Sequence, residues 1–77
     1  MKELYIKLTT IADVQNFVNA VLTINGDIDL TSGRYTVDGK SIMGIFSLDL
    51  SKPIVVEITP EEKVEEFKKT IEKFLVD

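Results

Sequence analysis

Apolar and polar residues alternate at the start of the chain, where Leu4, Ile6 and Leu8 are separated by Tyr5, Lys7 and Thr9. A period of two is the mark of a half-buried strand. From Ile11 the period changes. Ile11, Val14, Phe17, Val18 and Val21 recur at helical spacing and predict a helix near 11–23 with one apolar face. Thr10 followed by Asp13 fits its start, the hydroxyl capping and the acid complementing the positive helix end. Asn25-Gly26 reads as its stop.

Alternation returns at Asp27-Ile28-Asp29-Leu30 and again at Tyr35 and Val37, with Ser32-Gly33 between. This predicts a hairpin that Asp38-Gly39 closes. The next segment, SIMGIFSLDL, reads as a short helix near 41–48 with Ser41 as N-cap. Its apolar residues span an arc of about 220° on a helical wheel. A surface helix needs a stripe of roughly 100° or somewhat more. If Ile45 and Leu48 serve the core, Ile42, Met43 and Phe46 are left partly exposed as a candidate docking patch. A buried strand or a fully covered helix fits the same pattern, and Gly44 leaves that choice open.

After the turn Ser51-Lys52-Pro53 comes Ile54-Val55-Val56-Glu57-Ile58, the most β-rich run of the chain and the expected central strand. A last helix is predicted near 60–75, with Thr59 as cap, Pro60 in its first position and Glu61 and Glu62 facing the helix dipole. Val64, Phe67, Ile71, Phe74 and Leu75 form its apolar side, and Glu65–Lys69 and Lys68–Glu72 are spaced to pair on the other. The order β-α-β-β-α-β-α with one-sided strands predicts an α+β open-faced sandwich. Its four-stranded antiparallel sheet carries all three helices on one face.

Composition narrows function mainly by exclusion. At 77 residues the chain is expected to form one domain, 1–77. It contains neither Cys nor His. Thiolate metal sites, cysteine nucleophiles and histidine acid–base chemistry are therefore ruled out. The net charge of −4 argues against direct nucleic-acid binding. No apolar run approaches a signal core or a membrane span, which predicts a cytoplasmic protein without a membrane role. The carboxylate pairs Asp27/Asp29 and Glu61/Glu62 are the candidates for an enzyme. The first reads equally as a solvated sheet face and the second as helix-start acids. No cofactor, no metal and no catalytic residue is expected.

The stretch KSIMGIFSL, Lys40 to Leu48, closely resembles the regulatory-serine segment of HPr, the phosphocarrier family of the bacterial sugar phosphotransferase system. The common family form is K-S-I-M-G-V-M-S-L. The resemblance implies the same four-stranded, three-helix sandwich. It also places Ser41 at the position that a dedicated kinase phosphorylates in many Gram-positive bacteria, where the phosphoserine form partners a transcriptional regulator in carbon catabolite control. Lys40, Ile42, Met43 and Phe46 then fall on the family's protein-binding surface. Ser41 keeps its other reading, an N-cap whether or not anything phosphorylates it.

The phosphocarrier motif departs from the family. There a G-I-H-A-R-P-A loop precedes the first helix, the histidine carries the phosphoryl group, and the arginine and helix start steady it. Ungapped alignment from Ser41 places Thr10 at the histidine, Ala12 at the arginine and Asp13 at the proline. A phosphothreonine ester lacks the labile P–N bond of phosphohistidine, and an acid at Asp13 repels a phosphoryl group. A paralogue, Crh, has likewise lost the histidine and kept the serine. The expected function is a non-catalytic regulatory or protein-binding module acting through Ser41 and the adjacent patch. A structural or oligomerising subunit, using the same patch as a dimer contact, is the alternative.

Overall fold

The computed structural model describes residues 4–76. Four strands, β1 (Leu4–Ile6), β2 (Asp27–Ser32), β3 (Tyr35–Asp38) and β4 (Ile54–Thr59), form one antiparallel sheet in the order β1-β4-β2-β3. The β-rich run IVVEIT sits inside the sheet as expected. Its register places Val56 opposite Leu4 on one side and Leu30 on the other, and Leu30 opposite Val37.

Because side chains alternate along a strand, this register sorts the sheet into two faces. Ile6, Ile28, Leu30, Ile54, Val56 and Ile58 are buried on one. The other carries Tyr5, Val55, Thr31 and Thr36 in one row and Glu57, Asp29 and Asp38 in the next. The Thr31 and Thr36 hydroxyls meet at 3.1 Å there. Helices α1 (Ile11–Val21), α2 (Ile42–Phe46) and α3 (Val64–Thr70) contribute Val14, Phe17, Val18, Val21, Ile45, Val64 and Phe67 to the same core as the buried strand residues. All three helices therefore cover one face, and the polar face stays open.

Three local expectations are corrected. Gly26 does not stop α1, which ends at Val21 with Leu22 as C-cap. A Cβ on Gly26 would lie 2.6 Å from the Thr59 carbonyl oxygen, so glycine is required where the start of β2 passes the end of β4. Thr59 is no helix cap. It pairs with Asp27 as the last residue of β4, and Pro60, joined to it by a cis peptide bond, precedes a 3-10 turn at Glu61–Lys63 without side-chain capping.

The expected C-terminal helix is in three parts, with α3 flanked by that turn and a second 3-10 turn at Glu72–Phe74. This break lets Phe74 meet Phe17 edge-on, ring centroids 5.7 Å apart. It also releases Leu75 to bridge Ile6, with Val76 N–H donating to the Tyr5 carbonyl and Lys7 N–H to that of Phe74. The outer edge of β1 is covered in this way. Neither Glu65–Lys69 nor Lys68–Glu72 closes to an ion pair among the described residues.

Candidate functional site

Two helix starts carry the residues that the sequence singled out. At the start of α2, the Asp38 carboxylate accepts from Lys40 N–H (2.9 Å) and the Asp38 carbonyl from Ser41 N–H (3.1 Å). Ser41 keeps extended backbone geometry, and its Oγ accepts from Gly44 N–H at 3.1 Å, a true N-cap. Gly44 sits in a tight approach. A Cβ there would stand 3.2 Å from Val37 Cβ and 3.3 Å from Ser41 Oγ, so glycine lets α2 lie against β3 beside its own cap.

The apolar arc of α2 splits into two sides. Ile45 and Leu48 are buried, whereas Ile42, Met43 and Phe46 are 37%, 81% and 40% exposed. Met43 is the most exposed of the large apolar side chains described. The helix reading is upheld over a buried strand. Lys40 behaves differently from its neighbours, since its ammonium donates to the Ile24 carbonyl at 2.8 Å and ties α2 to the end of the α1–β2 connection.

At the start of α1, Thr10 Oγ1 accepts from Asp13 N–H at 3.0 Å while the Asp13 carboxylate accepts from Thr10 N–H (3.1 Å) and Thr9 N–H (3.0 Å). This is a capping box extended by one residue. The backbone hydrogen bond from Thr9, followed by that from Thr10, holds the Asp13 carboxyl below its ordinary value of 3.8. A depressed carboxyl pKa contributes stability that is present above the unfolded value and lost as pH falls through the folded one. Asp13→Asn should therefore flatten part of the acid-side loss of stability below about pH 3.8, read by denaturation at a series of pH values. Unchanged acid dependence in that variant would show that the box does not form in solution.

Asp27 and Asp29 are exposed on the open sheet face, Asp29 between Glu57 and Asp38. Glu61 and Glu62 begin the 3-10 turn. Among the described residues no group of three or more acidic, His or Cys side chains is placed to hold a metal ion. No described helix is long and apolar enough to cross a membrane. One concave feature carries no signal in the sequence: a cleft between the β2–β3 turn and the loop after α2, whose walls no motif or period connects.

Fold and helix caps together define a small open-faced sandwich with two capped helix starts on elements that pack against each other, α1 and α2. The model of the family described as PTS HPr component phosphorylation site matches residues 13–76, and the chain belongs to that family, the HPr proteins. The match begins at Asp13, so Thr10 lies outside it. Among solved structures the chain is similar to HPr-C-His from Thermoanaerobacter tengcongensis, with 25% identity, a TM-score of 0.78, and coverage of 95% of this chain and 89% of that one. No curated protein sequence matches the chain.

Proposed function

We propose that this HPr-family chain is a cytoplasmic, single-domain regulatory module that binds protein partners through Ser41 and the apolar side of α2 and does not carry phosphate in transfer. The observation that carries the reading is the two-sided α2. A five-residue helix keeps Ile45 for the core and leaves Met43, Ile42 and Phe46 beside the capping serine in solvent. Exposed apolar side chains grouped on one short element favour a protein contact. Lys40 supports the surface by anchoring α2 through Ile24.

The start of α1 argues against phosphate transfer. The chain has no histidine, and the Asp13 carboxylate already holds two backbone amides at Thr9 and Thr10, adding negative charge where the family brings a phosphoryl group. Phosphorylation of Ser41 would add about −1.5 to −2 charge at pH 7 next to the patch. The partner would then meet an altered charge on an unaltered scaffold.

Incubation with ATP and an HPr-directed serine kinase, followed by mass mapping, should place one phosphate on Ser41. The Ser41→Ala variant should accept none. It should also lose about 0.5–2 kcal/mol of stability, because Ala cannot cap α2. Phosphate at another residue, or none on the wild-type chain, would contradict the role of Ser41.

A further inference from the structure

The β2–β3 turn and the loop after α2 face each other across a cleft of about 450 Å³. Arg34 and Tyr35 line it from the hairpin, Ser47, Asp49 and Lys52 from the other side, with the nearly buried Leu48 as an apolar floor. Arg34 is the only arginine of the chain. Neither its guanidinium nor the Lys52 ammonium has a hydrogen-bond or ion-pair partner among the described residues.

The loop wall is fixed from behind. The Lys7 ammonium donates to the Leu50 carbonyl at 3.4 Å and also to the Ser51 carbonyl. Asp49 Oδ1 accepts from Ser51 Oγ (2.5 Å) and Ser51 N–H (3.0 Å). These bonds, the side-chain one first, hold the Asp49 carboxyl below its ordinary range, and Lys52 and Lys7 add to the effect. The one acid of the cleft is thus held by Ser51 and offset by Lys52 and Lys7, which leaves Arg34 as the unengaged cation and Lys52 as a charge shared with Asp49.

We propose that this cleft binds a small phosphomonoester bearing hydroxyl groups. A planar guanidinium matches two phosphate oxygens in a bidentate bond, and the ammonium supplies a second charge for a dianionic head. The Ser47 hydroxyl donates to the Gly44 carbonyl at 2.6 Å, so its remaining capacity is to accept, which suits a ligand hydroxyl. Tyr35, 70% exposed, offers a ring face to the carbon body of the ligand. The cleft volume lies within the range of small-molecule sites. The cleft lining includes none of Ser41, Ile42, Met43 and Phe46.

Amide NMR titration of the whole chain with glycerol 3-phosphate should give saturable shifts at Gly33, Arg34, Ser47 and Lys52, and glycerol should give none. Arg34→Gln and Lys52→Gln lie outside the core, and each should weaken binding roughly tenfold. Lys69→Gln, on the exposed side of α3, should bind as the wild type does. Shifts that fail to saturate, or affinity unchanged in both cleft variants, would overturn the site. Inorganic phosphate binding as tightly as the ester would overturn the assignment of a hydroxylated ligand.

Discussion

Replacing Ile45 by Ala is expected to cost about 2–5 kcal/mol, while Met43→Lys, two residues earlier on the same helix, should change stability by no more than about 0.5 kcal/mol. Ile45 is fully buried in the core cluster, so truncation removes apolar contacts and leaves a cavity that the surrounding strands and helices only partly fill. A chain of this length is stabilised by roughly 4–12 kcal/mol in total, and Ile45→Ala therefore removes a large share. Met43 is 81% exposed, and a lysine there stays in water. Chemical denaturation of the two variants reads the difference. If Met43→Lys cost several kcal/mol, its side chain would belong to the core, because an unpaired buried charge is expensive.

The second large effect is an absence of activity that the family scaffold normally supports. Phosphoenolpyruvate and the first enzyme of the phosphotransferase system should leave no acid-labile phosphate on the purified chain. The site has no histidine to form a P–N bond. The hydroxyl at the aligned position, Thr10, is committed to capping α1, and Asp13 places a carboxylate beside it with its pKa held low by backbone amides. Acid-labile phosphate on the wild-type protein would overturn this account of α1.

Much of this arrangement was legible because it depends on near neighbours. The capping box needs only Thr10 and Asp13 three residues apart, and the two sides of α2 follow from counting angles around Ile42 to Leu48. Strand alternation gave the open polar face directly. The C-terminal region was less legible. Val64–Phe67 and Ile71–Phe74 are spaced by three, which an α-helix and a 3-10 turn satisfy equally. Only the requirement that Phe74 reach Phe17 and Leu75 reach Ile6 decides between them.

Gly26 and Thr59 depart from their local patterns for the same reason. Each owes its role to the other, across a sheet contact that no local pattern contains. The cleft of Arg34 and Lys52 is again a product of topology, since a lone arginine in a turn has no sequence signature.

The central claim is that the exposed side of α2 is where partners dock. Amide NMR titration of the chain with an HPr-directed serine kinase tests it most directly, with the open sheet face as internal control. The expected footprint covers Ser41, Ile42, Met43 and Phe46, leaves Thr31, Thr36 and Asp29 unshifted, and is lost in the folded Met43→Lys variant. A footprint on the sheet face, or one that survives Met43→Lys unchanged, would contradict it.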